Sequence, residues 1–273
     1  GISGRMFSAM GRNGVNVRAI AQGSSEKNIS AVIATRDVRK SINVLHEEFF
    51  ETSYKQVNLY ITGTGNVGAR LLAQIQQQLA FMQAHQHLQV NIVGISNSRK
   101  MLLKEEGINM ADWKVQLEEG EVANLQQFVG EIISRNLRNS IFVDVTASDV
   151  VAGVYALLLE KSVNVVACNK VAASSAYSNY KKLKDLARAY NCQFLFETNV
   201  GAALPIIATL NDLVSSGDTI HRMQAVLSGT LNFVFNNYDG SRNFADVVKQ
   251  AQEEGYTEPD PRLDLSGTDV MRK

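Results

Sequence analysis

The sequence lacks the features of several common protein classes. It has only two cysteines, Cys168 and Cys192, and both lie in apolar stretches. This favours buried thiols in a reducing compartment over a disulfide framework or a zinc site. No apolar run reaches the roughly 18 residues of a membrane-spanning helix, and the first residues have no signal-peptide core. We therefore expect a cytoplasmic protein that does not contact a membrane.

An excess of charge of either sign is also missing. The 27 lysines and arginines balance the 27 aspartates and glutamates. A nucleic-acid partner is therefore not expected, because binding to phosphates requires a basic surface. The sequence does not begin with methionine, and we expect it to be part of a longer polypeptide. Its 273 residues suggest about two domains.

Apolar periodicity divides the chain into four segments. Residues 1–50 follow the order helix, strand, strand, helix, and we expect a further strand or a partner chain to complete so small a sheet. A polar linker over 51–56 follows. Residues 57–172 alternate apolar strands and helices, which predicts a doubly wound parallel α/β sheet. Residues 173–273 are predicted to form an α+β catalytic domain, with a strand at 220–227.

The motif GTGNVG follows the first strand of the predicted parallel sheet and begins a helix. In this context GxGxxG indicates a dinucleotide-binding turn, whereas the alternative is a glycine-rich turn without a ligand. Gly63 would permit the tight turn, Gly65 the approach of a pyrophosphate, and Gly68 close packing of helix on sheet. The free N–H groups at the start of the helix would bind phosphate. The predicted cofactor-binding residues of this turn are Gly63, Thr64, Gly65, Asn66, Val67 and Gly68.

The end of the second strand of that sheet bears on the choice of cofactor. Enzymes that use NAD place an acidic residue there to bind the ribose 2′-hydroxyl. This chain has Ser-Asn-Ser-Arg at 96–99 and no carboxylate before Glu105. Asn97 and Arg99 could instead bind a 2′-phosphate, which predicts NADP(H) rather than NAD(H). The alternative is that Arg99 is a solvated surface residue.

Two further motifs contain polar residues suited to a site. Lys170 follows the fourth strand in CNKVAAS, at the strand end where such sheets bind ligands, and is therefore predicted to be functional. In the run GYTEPDPRLDLSGTDVMRK, a helix over 264–273 capped by Asp264 would place Asp269 and Lys273 on one face at i and i+4. That spacing can hold an ammonium group beside a carboxylate, although it is also the spacing of ordinary surface ion pairs.

Together these motifs resemble a known family. GTGNVG, TAS, NK, ETNVGAALP, LSGT and GYTEPDPRLDLSGTD, in this order, resemble homoserine dehydrogenase. The N-terminal GISGRMFSAMGRNGVNVRAIAQGSSEKNISAVI resembles an ACT module of aspartate kinases. The resemblance implies part of a homo-oligomeric bifunctional aspartate kinase–homoserine dehydrogenase, a dimer or tetramer. Its dehydrogenase region would use NADPH to reduce L-aspartate 4-semialdehyde to L-homoserine.

The resemblance also implies roles for individual residues. Lys273 would be the catalytic acid–base group with Asp269 as its partner, and Glu258, Asp264 and Asp269 would bind the substrate. Further cofactor contacts would come from Thr146, Lys170 and Gly255. A monovalent cation, Na⁺ or K⁺, would be bound by Glu197 and the backbone carbonyls of Val200, Ala202 and Leu204. Gln22 would border a pocket for an amino-acid effector.

The resemblance is not complete, and two other interpretations stay open. The family's DPRDDL run has Leu263 in place of one acid, so a secondary polar contact is missing. One alternative is a regulatory, nucleotide-binding fragment without turnover. Another is a different semialdehyde or amino-acid dehydrogenase on the same fold, which fold alone would not distinguish.

Overall fold

The chain folds into two compact units, which we describe separately. The computed structural model describes residues 1–23, 28–50, 54–202, 204–257 and 260–273. One unit, here called the sheet unit, comprises residues 1–169 and 178–195. The other, the helical unit, comprises residues 170–177 and 196–273.

The first part of the sheet unit is a small two-layer α/β segment. Its elements are α1 (Ile2–Arg12), β1 (Val17–Gln22), β2 (Ile29–Ile33) and α2 (Val38–Phe49). The two strands pair antiparallel. Ala9 and Met10 of α1 and Val44 of α2 are buried, whereas Val38 and Ile42 of α2, which its apolar spacing would place on the buried face, are exposed. The predicted order of helix, strand, strand and helix is therefore confirmed.

A seven-stranded sheet forms the rest of the sheet unit. Its strands are β3 (Lys55–Thr62), β4 (Leu88–Ser96), β5 (Lys100–Leu103), β6 (Glu121–Val122), β7 (Ser140–Asp144), β8 (Asn164–Ala167) and β9 (Phe194–Leu195). The helices along it are α3 (Asn66–Gln86), α4 (Trp113–Glu118), α5 (Leu125–Arg135), α6 (Asp149–Ala152), α7 (Tyr155–Leu159) and α8 (Tyr177–Ala189). β3 begins at Lys55, inside the segment predicted as a linker.

The strand order is β6-β5-β4-β3-β7-β8-β9. Five adjacent strands, β4, β3, β7, β8 and β9, pair in parallel. The strands β5 and β6 add an antiparallel edge next to β4. The predicted doubly wound parallel sheet is confirmed. From β3 the chain goes first to β4 on one side and later to β7 on the other. In sheets of this kind, ligands bind beyond the carboxyl ends of the strands at which the order reverses, here β3 and β7.

The small N-terminal α/β segment is bonded to the loop that precedes β7. Lys40 of α2 donates to the Asn136 side chain over 3.0 Å, and Asn136 donates to Asp37 over 3.0 Å. Arg138 donates to the backbone carbonyl of Asn43 over 2.8 Å. Lys40 and Asp37 are buried, so these hydrogen bonds satisfy polar groups that would otherwise destabilise the junction.

The helical unit contains a short 3₁₀ helix, Glu197–Asn199, and five α-helices in its described part. The α-helices are α9 (Ile207–Ser215), α10 (Gly229–Asn237), α11 (Phe244–Glu253), α12 (Pro261–Leu265) and α13 (Thr268–Met271). Val234, Val247 and Ala251 form a small core between α10 and α11. The strand predicted at 220–227 is wrong, because these residues have no regular structure. A strand needs a neighbour to pair its backbone groups, and the described residues of this unit include none.

The single helix predicted over 264–273 is also wrong. Gly267 has a left-handed backbone, with φ of 79°, and separates α12 from α13. Asp260, rather than Asp264, caps α12, and its carboxylate accepts the backbone N–H of Arg262 over 3.1 Å. Asp269 and Lys273 nevertheless meet at the predicted i,i+4 spacing.

Candidate active site

The turn between β3 and α3 has the geometry of a phosphate-binding loop. Gly63 has φ of 102°, which favours glycine, and its N–H donates to Ser96 O over 2.8 Å. Gly65, which has no side chain, is the N-cap residue of α3, and a Cβ there would meet no atom within 4 Å. A Cβ on Gly68 would lie 1.9 Å from the Gly63 carbonyl oxygen. The turn is therefore close-packed on one side and open to a phosphate on the other.

The polar residues after β4 lie next to this turn. The Asn97 side chain accepts the backbone N–H groups of Arg99 and Lys100 over 2.8 and 2.7 Å. Its amide also lies 3.4 Å from the Thr64 hydroxyl. The Arg99 side chain is 78% exposed and lies 3.9 Å from the Glu118 carboxylate. Because solvent screens exposed charges, this ion pair is weak. The Arg99 guanidinium group is therefore accessible to solvent, two residues after Asn97.

The segment that follows β7 packs against the same turn. A Cβ on Gly63 would lie 2.8 Å from Val145 O and 3.0 Å from Cγ2 of Thr146. The Thr146 hydroxyl accepts the backbone N–H of Ser148 over 3.1 Å. The sheet unit thus brings together the glycine turn, Asn97, Arg99 and Thr146, as the sequence predicts. These features fit a dinucleotide at the carboxyl ends of the strands.

In the helical unit, Asp269 lies between two lysines. Its Oδ1 accepts from Nζ of Lys170 over 2.5 Å, and its Oδ2 accepts from Nζ of Lys273 over 2.8 Å. Asp269 is only 9% exposed. Lys273 also donates to Leu227 O over 2.8 Å. The tertiary fold therefore joins Lys170, which sequence spacing could not relate to Asp269, to the predicted pair.

This cluster carries net positive charge. Burial alone would raise the pKa of Asp269, but the hydrogen bonds and charges of Lys170 and Lys273 outweigh it and hold the pKa below its ordinary value. One carboxylate thus faces two ammonium groups. Lys273 has three N–H donors, and two of them bind Asp269 and Leu227. Within the described residues its third donor has no partner, so it can reach a ligand.

The remaining predicted site residues include one that is buried and one that is exposed. Asp264 is 2% exposed and lies 2.7 Å from the Thr230 hydroxyl. Thr230 also donates to Tyr256 O, over 2.5 Å. Glu258 lies outside the described residues. Gly255 is exposed and has φ of 80°.

The predicted cation ligands surround the start of α9. Glu197 accepts the backbone N–H groups of Ile207 and Ala208, each over 2.8 Å. Its carboxylate therefore caps the positive end of that helix. The Leu204 carbonyl accepts the N–H of Ile206 over 2.9 Å, and Ala202 has φ of 52°. The assignment of a cation to Glu197, Val200, Ala202 and Leu204 stays a prediction.

The predicted effector residue, Gln22, is exposed at the end of β1 and accepts from the Ser3 hydroxyl over 3.2 Å. Ser24 and Ser25 of the same predicted effector segment lie outside the described residues. The sequence pattern did not single out Thr230 or the buried Asp144 as site residues. Both are ordinary residue types within apolar segments, and only their burial and partners distinguish them.

Three family models match successive parts of the chain. Residues 1–49 match an ACT domain, residues 63–197 the NAD-binding domain of homoserine dehydrogenase, and residues 205–273 homoserine dehydrogenase itself. The chain belongs to the homoserine dehydrogenase family. The predicted nicotinamide-binding fold and the preceding ACT-like segment are therefore confirmed.

Similar proteins agree with this assignment. The Zea mays protein named bifunctional aspartokinase/homoserine dehydrogenase 1, chloroplastic, is 42% identical over the whole chain. A Schizosaccharomyces pombe homoserine dehydrogenase is 35% identical over 81% of this chain and 61% of its own length. A hyperthermophilic archaeal homoserine dehydrogenase, solved in complex with NADPH, superposes with a TM-score of 0.67. It is 25% identical and is matched over 80% of this chain and 67% of its own.

The chain spans 30% of the length of the maize relative. Because that relative is named chloroplastic, a cytoplasmic location stays an expectation. In the part of the chain that the structure describes, no helix has both the length and the apolar character needed to cross a membrane.

Proposed function

We propose that this chain carries the dehydrogenase sites of an enzyme that reduces L-aspartate 4-semialdehyde to L-homoserine with NADPH. The observation that supports this most is the Asp269 carboxylate held between Lys170 and Lys273. Reduction of an aldehyde places negative charge on its oxygen, and a positioned ammonium group both stabilises that charge and supplies a proton.

The residues have separate roles in this reaction. The bound cofactor would supply hydride to the aldehyde carbon. The Gly63–Gly68 turn and Arg99 would bind its phosphates, since the turn offers helix N–H groups and Arg99 a bidentate donor. Lys273 would donate the proton through its third N–H, and Asp269 would orient that ammonium group. Glu258 is proposed to bind the substrate amino group, which would orient the carbonyl for reduction.

The activity is tested by following NADPH oxidation with aspartate 4-semialdehyde, for this chain and for a longer polypeptide of the relatives' extent. Succinate semialdehyde, which lacks the amino group, serves as the comparison substrate. Turnover of aspartate semialdehyde with much weaker turnover of the comparison supports the proposal. NADPH binding without turnover by either polypeptide would favour the alternative of a regulatory fragment. Equal turnover of both aldehydes would favour a different semialdehyde dehydrogenase.

NADPH is expected to bind more tightly than NADH. The exposed Arg99 guanidinium near Asn97 can receive a 2′-phosphate, and the end of β4 has no acidic residue to bind a 2′-hydroxyl. Titration of nicotinamide fluorescence gives both dissociation constants. Arg99→Ala should weaken NADPH binding by about 10-fold, the value of a charge-assisted hydrogen bond, and leave NADH unchanged. Tighter binding of NADH by the unaltered protein would contradict the proposal.

Threonine is expected to regulate the full-length protein through the ACT-like segment. The described residues include a single two-stranded ACT-like segment, and Gln22 at the end of β1 is exposed rather than enclosed. We therefore expect weak or no threonine binding to the 273-residue chain by isothermal titration calorimetry, and binding to the longer polypeptide. Tight binding to the short chain would count against this assignment of the effector site.

A further inference from the structure

A buried carboxylate that the proposed chemistry does not use lies at the end of β7. Asp144 has no exposed surface. Its Oδ1 accepts the backbone N–H of Thr146 over 2.8 Å. Its Oδ2 accepts from the Tyr155 hydroxyl over 2.6 Å and from the Asn169 amide over 2.9 Å. A buried carboxylate is tolerated only when such donors replace its hydration.

The partners of Asp144 come from three different elements. Thr146 lies in the turn that follows β7, Tyr155 is the first residue of α7, and Asn169 follows β8. The Asn169 amide also donates to the Ser148 carbonyl over 2.9 Å, so it links the carboxylate to the far end of the turn. Asp144 is thereby connected to the turn over residues 145–148, directly at Thr146 and through Asn169 at Ser148.

This turn is in contact with the predicted cofactor loop. Val145 donates to Thr62 O over 2.9 Å, and Gly63 approaches Val145 and Thr146 so closely that a Cβ would lie within 3.0 Å of both. Val145 also packs against Gly68, since a Cβ there would lie 3.2 Å from its Cγ2. A displacement of the 145–148 turn would therefore shift the residues against which the glycine loop packs.

The three groups that contact the Asp144 carboxylate are all hydrogen-bond donors. Burial, and then the charge of Asp144, raises the pKa of Tyr155, so the phenol stays a hydrogen-bond donor at all physiological pH. The Thr146 N–H and the Asn169 amide can only donate at their contacting atoms. All three donors are satisfied at once only if both side-chain oxygens of residue 144 accept hydrogen bonds.

We propose that Asp144 is a positioning residue of the cofactor site, which holds the 145–148 turn against the glycine loop between β3 and α3. The inference rests on the proposed use of a nicotinamide dinucleotide by this loop. Asparagine has nearly the same shape as aspartate but replaces one acceptor oxygen by a donor NH₂. Asp144→Asn would therefore set a donor against Thr146 on one side or against Tyr155 and Asn169 on the other.

The test measures NADPH binding to the 273-residue chain by fluorescence titration, together with the melting temperature of each variant. Asp144→Asn is expected to raise the dissociation constant by about 10-fold, as expected when a buried donor loses a charged acceptor. Tyr155→Phe removes one donor and keeps the carboxylate, so its dissociation constant should rise less than about 3-fold, because the remaining two hydrogen bonds hold the turn.

Val129→Ala is the matched control for loss of stability alone. Val129 is buried in α5 and takes no part in the Asp144 hydrogen bonds, so truncating it should lower the melting temperature without weakening NADPH binding. If Asp144→Asn binds NADPH like the unaltered chain, or if Val129→Ala weakens binding equally, the proposal is wrong. If Asp144→Asn does not fold, Asn169→Ala decides by the same criteria, because it removes the link from Asp144 to Ser148. An unaltered chain that does not bind NADPH would instead overturn the proposed function, and this inference with it.

Discussion

Lys273→Ala is expected to lower kcat for aspartate semialdehyde reduction by about 10²–10⁴-fold, the usual contribution of a positioned general acid. Lys273 has one N–H beyond those that bind Asp269 and Leu227, and this donor is proposed to protonate the substrate oxygen. The loss should appear mainly in kcat. NADPH binding should persist, because the Gly63–Gly68 turn belongs to the sheet unit. Steady-state kinetics on an active, longer polypeptide provide the measurement.

Lys249→Ala is the matched control for this substitution. Lys249 belongs to the same unit, pairs with Glu253 at i,i+4 over 3.8 Å, and is 74% exposed. Its removal should change kcat by less than about 2-fold, since exposed pairs contribute little. If Lys273→Ala kept a near-normal kcat, the pair with Asp269 would be an ordinary ion pair. Lys170, the other ammonium on Asp269, would then become the better candidate for the acid.

The same cluster should make a pH-dependent contribution to stability. Because the folded-state pKa of Asp269 lies below the ordinary value of 3.8, the contribution is complete above that pH and is lost as pH falls through the folded pKa. Lys273→Ala removes one of the two groups that lower this pKa. The variant should therefore lose the contribution of Asp269 at a higher pH than the unaltered protein does.

Gly68→Ala is expected to weaken NADPH binding by about 10²-fold or more, since a displacement of about 1 Å in a binding loop can have that effect. The new Cβ would lie 1.9 Å from Gly63 O, a backbone atom that cannot move aside without shifting the turn. Overpacking of this kind should also destabilise the fold, by about 1–3 kcal/mol. Fluorescence titration and thermal unfolding measure the two effects.

Two other glycines separate these effects. A Cβ on Gly65 meets no atom within 4 Å, so Gly65→Ala should keep the melting temperature but weaken NADPH binding, because the methyl group would occupy the face open to phosphate. Gly130 of α5 is exposed and equally uncrowded, and Gly130→Ala should leave binding unchanged. Unaltered affinity in both Gly65→Ala and Gly68→Ala would mean that the turn does not bind the cofactor.

Local pattern was sufficient for much of the fold. The apolar runs of β3, β4, β7 and β8 are buried on both faces of a parallel sheet, so they were recognisable without any knowledge of their partners. The predicted secondary structure was wrong in two segments whose conformation depends on neighbouring elements or on a single glycine. Residues 220–227 were predicted as a strand but have no neighbouring strand among the described residues, and Gly267 ends a helix that periodicity alone would continue.

The sequence by itself determined the glycine turn, the absence of an acidic residue before Arg99, and the i,i+4 relation of Asp269 to Lys273. Each of these depends on residues a few positions apart, where backbone geometry relates spacing directly to proximity. Only the tertiary structure decided that Lys170, 99 positions before Asp269, binds the Asp269 carboxylate together with Lys273. It also decided that Asp144 is fully buried with donors from three elements. Contacts between distant segments arise from how whole elements pack, and no local spacing in the chain encodes that packing.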